Sequence, residues 1–114
     1  MDSIILLSGK RGNMRLVNRT NIDDDIILHL ARRAGISGYN VRITIIYNSK
    51  LPAPYVGTCQ LFTPNHYLIM LKHNYDIPTL AHELKHAAFD ILRGYRPNSG
   101  GEEKSCKFFE ERYK

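Results

Sequence analysis

The stretch Thr79-Leu80-Ala81-His82-Glu83-Leu84-Lys85-His86-Ala87-Ala88-Phe89 constrains this chain more than any other, because it sets His-Glu-x-x-His inside an apolar repeat. Residues four apart on a helix lie one above the other, so His82 and His86 can hold one ion between them. Glu83 is turned about 100° from His82, which places it beside such an ion rather than among its ligands. Two neutral imidazoles on a metal, with a carboxylate poised to take a proton from the metal-bound water, are what a zinc hydrolase requires. Leu80, Ala81, Leu84, Ala87, Ala88, Ile91 and Leu92 supply an apolar face. The segment is therefore expected to be a half-buried helix from about Pro78 to Arg93, stopped at Gly94. Two ordinary helix histidines and a solvated glutamate would look the same, but at this chain's His and Glu content the pattern arises by chance on the order of once in a hundred such sequences.

The rest of the chain has to build one small domain around that helix. With 114 residues, 43% of them hydrophobic, there is material for a single core. No run approaches the apolar length of a membrane span, and Ile4-Leu7 is too short for the core of a signal peptide, so no membrane partner is expected and the chain is read as cytoplasmic. Cys59 and Cys106 fit no Cys-x-x-Cys spacing and read as two buried thiols in a reducing compartment. The net charge of +5 would suit a nucleic-acid partner. Lys and Arg are scattered rather than blocked, however, so a solvated basic surface is the favoured explanation.

In chain order, residues 1–20 suggest an N-terminal arm or hairpin, with Ile4-Leu7 and Met14-Val17 flanking Gly9-Lys10-Arg11-Gly12. Residues 21–114 form the domain proper. A helix is expected from Asn21, with Asp23, Asp24 and Asp25 at its positive end, Arg32 and Arg33 at its negative end, and Gly35 as its stop. No EF-hand spacing follows the three aspartates, so helix-end electrostatics accounts for them. Tyr39-Tyr47, Tyr55-Phe62 and His66-Lys72 read as strands, the last two joined at Thr63-Pro64-Asn65. Leu51-Pro52-Ala53-Pro54 must be irregular, since proline cannot donate to a ladder. Asp76 is a plausible cap for the motif helix, Tyr95-Gly101 a loop, and Glu102-Tyr113 a final helix with Cys106, Phe109 and Tyr113 on one side.

Zinc needs a third protein ligand, and a catalytic site keeps the fourth position for water. His29, His66 and His73 sit in no ligand-spaced motif and read as surface or strand histidines. Asp90, on the same helix as His86, suits a hydrogen bond to a ligand imidazole better than coordination. Glu102 and Glu103 come from a separate element that can fold back over the site, and either would complete a His₂Glu set.

These residues resemble the gluzincin class of metallopeptidases, most nearly the small ImmA/IrrE-like group. The likeness rests on Thr79-His86 and on Glu103-Lys104-Ser105-Cys106-Lys107-Phe108-Phe109, which follows a Glu-x-x-small-x-x-Phe pattern. It implies an α+β, zincin-like minimal core: a helix, a three-stranded mainly antiparallel sheet, the HExxH helix and a Glu-bearing C-terminal helix. It also implies one zinc per chain on His82, His86 and Glu103, with Glu83 as general base. Glu102 fits the same pattern through Ser105 and Phe108, and helical phase puts it nearer the Cys106/Phe109/Tyr113 line. Glu103 is taken as the ligand, and its neighbour, about 100° round the helix, should then be mostly solvated. Tyr95 and Tyr113 are candidate oxyanion donors. The resemblance further suggests a substrate added as a strand along Gly57-Phe62.

Three functions are consistent with these residues. One is a zinc metallopeptidase hydrolysing a peptide or protein substrate with narrow specificity, a regulatory protein being one such partner. A second is a DNA-associated factor docked through its basic surface, and a third a catalytically weak zinc-binding interaction domain. An intact Glu83 favours the first, since a purely structural site has no use for a base beside its ligands.

Overall fold

The computed structural model describes residues 3–9, 12–36, 40–93 and 101–114. Within them the order is β1 (Ser3–Gly9), β2 (Gly12–Arg19), α1 (Asp24–Ala34), β3 (Val41–Tyr47), β4 (Gly57–Thr63), β5 (His66–Leu71), α2 (Ile77–Arg93) and α3 (Glu102–Glu111). The expected helix stop at Gly94 and most of the loop after it lie outside the described residues. The strands form one sheet in the order β1-β2-β3-β5-β4.

That sheet corrects the expected three-stranded, mainly antiparallel one: it has five strands among the described residues and is mixed. β1 and β2 pair antiparallel, with Gly9 opposite Gly12. They are also part of the sheet, because β2 runs parallel to β3. The connection β2-α1-β3 is a crossover, which parallel neighbours require. β5 runs parallel to β3 and antiparallel to β4, so it lies between the two strands that precede it in sequence. The physical reason is burial. β3 and β5 each bury every second side chain, whereas β4, with Gly57, Thr58 and Gln60, has no fully buried residue and takes the edge. The proline-containing link after β3 lets the chain pass beyond β5 before reversing.

The helices cover one face of the sheet. Met14 and Leu16 of β2, Val41, Ile43 and Ile45 of β3, and Tyr67, Ile69 and Leu71 of β5 pack there against Ile27, Leu30 and Ala31 of α1 and Leu80, Ala81, Leu84 and Ala87 of α2. The expected apolar face of α2 is buried except at its end, where Leu92 is 60% exposed. α1 stops at Gly35 in the left-handed conformation (φ 96°), as expected. The turn into α1 is held by buried Asn18, whose amide donates to the Ile22 carbonyl and to Asp24 Oδ1, both at 2.8 Å. No helix among the described residues is long and apolar enough to cross a membrane.

Three contacts fix α2. Asp76 caps it, accepting from the Thr79 amide at 3.2 Å. Buried Tyr67, on β5, donates its hydroxyl to Asp90 Oδ2 at 2.5 Å, which tethers the helix to the sheet. Lys85 Nζ donates to the Ala34 carbonyl at 3.3 Å and lies over the rings of Phe89 and Phe109, joining α1, α2 and α3.

Candidate metal centre

α2 carries the motif across the end of the sheet next to edge strand β4, and α3 folds back against α2. A cleft of about 480 Å³ opens between them, lined by Tyr55, Gly57, Thr79, His82, Glu83 and Glu103 among others. Four carboxylate oxygens meet the four ring nitrogens of the two histidines. Glu103 spans both rings: its Oε1 is 2.8 Å from His82 Nε2 and its Oε2 is 2.8 Å from His86 Nε2. On the far side of each ring, Glu110 Oε1 is 2.8 Å from His82 Nδ1 and Glu102 Oε2 is 2.6 Å from His86 Nδ1.

The hydrogen-bonding capacity of the two rings tests the fit of a cation. A neutral imidazole has one N–H, and here each ring faces an acceptor on both sides. If the Nδ1 hydrogens go to Glu110 and Glu102, both Nε2 lone pairs face a carboxylate that is itself an acceptor. A cation between the two Nε2 atoms and Glu103 resolves that clash of acceptors. Donor atoms of His82, His86 and Glu103 already lie within 4.8 Å of one another, so the group could hold a metal ion. Ligands placed tetrahedrally about zinc stand roughly 3.4 Å apart, so the 2.8 Å Glu103 contacts would open by about half an ångström around an ion.

Glu83 lines the same cleft and is only 8% exposed. Burial raises its pKa above the ordinary carboxylate value, His82 and His86 oppose the rise, and Glu103 and Glu110 add to it. The backbone of β4 comes unusually close here. A Cβ placed on Gly57 would collide with Thr79 Cγ2 and stand 3.4 Å from Glu83 Oε2, so any larger residue there forces Thr79 or β4 to move. Cys59 also lines the cleft, but burial, followed by the charges of Glu83 and Asp90, pushes its thiol far up, and it stays protonated.

The structure brings His82, Glu83, His86 and Glu103 together, and it departs from the sequence reading at Glu102, Asp90 and Tyr113. Glu102 is buried rather than solvated, because α3 turns both of its first two glutamates toward His86. Helical phase placed Glu102 correctly on the buried line with Cys106 and Phe109. Glu103 meets both Nε2 atoms from the more exposed shoulder, at 52% side-chain exposure. The imidazole-bonding role expected of Asp90 falls to Glu102 and Glu110, while Asp90 receives Tyr67. Of the two tyrosines considered, Tyr113 packs edge-on against Phe109 and His29, and Tyr95 lies outside the described residues. His66 sits on the opposite sheet face, bonded to Thr44, and His73 is exposed.

Glu110 and Tyr55 were missed, and Gly57 was read only as the start of a substrate-pairing edge. Glu110 had a signal, being two helical turns beyond Glu103 and so on the same face of α3. Nothing local marks Tyr55, which lies just before β4 and lines the cleft. Comparison with protein-family models, with curated proteins and with solved structures finds no match for this chain.

Proposed function

We propose that this chain is a zinc-dependent peptidase of the zincin kind, with His82, His86 and Glu103 holding the metal and Glu83 acting as general base. The observation that carries this reading is the convergence of two Nε2 atoms on one carboxylate, each ring backed by a further glutamate, with a buried carboxylate alongside.

A bound zinc supplies a Lewis acid that polarises a carbonyl and acidifies water. The chain supplies the rest. Glu110 and Glu102 accept the Nδ1 hydrogens, which fixes each ring's tautomer, aims Nε2 into the cleft and raises its basicity. Glu83 takes a proton from the attacking water and returns it to the amine nitrogen of the leaving product. Its burial serves this role, since a carboxylate raised above its usual pKa binds the transferred proton better. Tyr55, on the cleft rim, donates its hydroxyl to the oxygen that gains charge. Strand β4 pairs only with β5 among the described residues, so its outer edge can take an extended peptide as a further strand, with the scissile bond brought over Glu83 at Gly57.

The test is hydrolysis of a labelled unfolded protein, followed with and without a chelator. The wild type should cleave and stop on chelation. Glu83→Gln should keep its zinc and lose at least about two orders of magnitude in rate. A Glu83→Gln protein that cleaves as fast as the wild type would refute the assignment.

A further inference from the structure

The sheet face turned away from the helices has a chemistry of its own. The ten Asp and Glu residues among the described ones all lie outside the strands, so the strands as described carry positive charge only, from Arg15, Arg19 and Arg42. Register lines up side chains from all five strands in one row across this face. Leu6 of β1 stands opposite Arg15 of β2, Arg15 opposite Arg42 of β3, and Arg42 opposite His66 of β5. Phe62 of β4 completes the row, its ring meeting His66 edge-on at 5.6 Å. The row spans four strand spacings, roughly 19 Å.

Two features of the row call for an occupant. Like charges directly opposite on a sheet are destabilising, yet the Arg15 and Arg42 guanidiniums have no ion-pair partner among the described residues. At the other end Phe62, a large apolar ring on an edge strand, is 64% exposed. Between them a hollow of about 600 Å³ is lined by Arg15, Arg42, Asn13, Asn40, Asn65 and His66, among others. Guanidiniums that lack acids ask for an anion, and the rings beside them ask for a flat apolar partner. A single polynucleotide strand supplies both, as phosphates and unpaired bases, and base–aromatic stacking is how strands are held without reading sequence. A duplex hides its base faces, an acidic peptide lacks them, and an anionic lipid surface would have nothing to stack on Phe62.

We propose that the open sheet face binds single-stranded nucleic acid along the row Leu6-Arg15-Arg42-His66-Phe62, with phosphates on the two arginines and a base stacked on Phe62. This site lies across the sheet from the metal centre and does not depend on the peptidase reading. The test is fluorescence anisotropy with a labelled oligothymidylate of about fifteen nucleotides. It is run on the full chain over a salt series starting near 50 mM, against a duplex of equal length, polyglutamate and anionic vesicles. The single strand should bind most tightly. The double change Arg15→Ala and Arg42→Ala should weaken it at least about tenfold and lower the salt slope by about 1.4, given about 0.7 per phosphate contact on a single strand. Phe62→Ala should weaken it about tenfold with the salt slope kept, since stacking rather than charge is removed. Arg32→Ala with Arg33→Ala, on α1 across the sheet, should have little effect. The proposal is overturned if the oligothymidylate does not bind, if duplex, polyglutamate or vesicles bind as tightly, or if the α1 pair matters as much as the row. Binding unaffected by Phe62→Ala would equally overturn it.

Discussion

Glu83 is held where a charged carboxylate is disfavoured, and its cost to the fold follows from the direction of its pKa. Burial raises that pKa above 4.5 in the folded chain. The folded state therefore binds the proton more tightly than the unfolded state does. This contribution to stability is fully present below the unfolded value and is lost as pH rises through the raised one. Metal-free Glu83→Gln should accordingly melt higher than the metal-free wild type at neutral pH, with the gap closing as pH falls toward the ordinary carboxylate range, measured by thermal denaturation in chelator. An equal or lower melting temperature at neutral pH would contradict the account. At this scale the sequence was legible where spacing within one helix decides geometry, as for His82, Glu83 and His86. It was not legible for Glu102, whose burial depends on how α3 leans on α2. A phase argument along α3 found its buried line but not which shoulder faces the two Nε2 atoms.

Among the elements, β4 and α2 matter most to the site, and their approach is set by Gly57. A methyl group there would overlap Thr79 Cγ2. Gly57→Ala should cost about 1–3 kcal/mol, as overpacking does, and should lower turnover by moving β4 from Glu83. Denaturant midpoints and turnover read both effects, and a Gly57→Ala protein of unchanged stability and turnover would contradict so close an approach of β4 to α2. Element spans were readable: α1, β3, β5 and α2 fall within a few residues of the expected limits wherever those limits are described. Strand order was not. β4 and β5 were correctly read as a hairpin, but the swap that sets β5 beside β3 is a contest for burial between whole strands. Alternation in His66–Leu71 and its absence in Gly57–Thr63 were the available sign. The first strands looked like an arm because a hairpin read alone does not show that Met14 and Leu16 will be buried under α1.

For the molecule as a whole, the fold sorts chemistry onto two sides. Carboxylates of the described residues lie with the helices, where three of them surround two histidines, while Arg15 and Arg42 on the sheet's open face have no ion-pair partner among the described residues. Along the sequence Arg15 and Arg42 are 27 residues apart and read as scatter, and only the parallel pairing of β2 with β3 makes them neighbours. That is why the row cannot be read along the chain. The metal centre itself is the central claim, and zinc titration of the purified chain against a competing chelator tests it most directly. The account predicts about one zinc per chain in the wild type and its loss in His82→Ala. It predicts an affinity at least about tenfold lower in Glu103→Ala, because a two-histidine site is incomplete. Glu102→Ala and Glu110→Ala should weaken binding about 10–100-fold through the imidazoles they hold, without abolishing it. Full zinc occupancy in His82→Ala, or an affinity unchanged by Glu103→Ala, would contradict it.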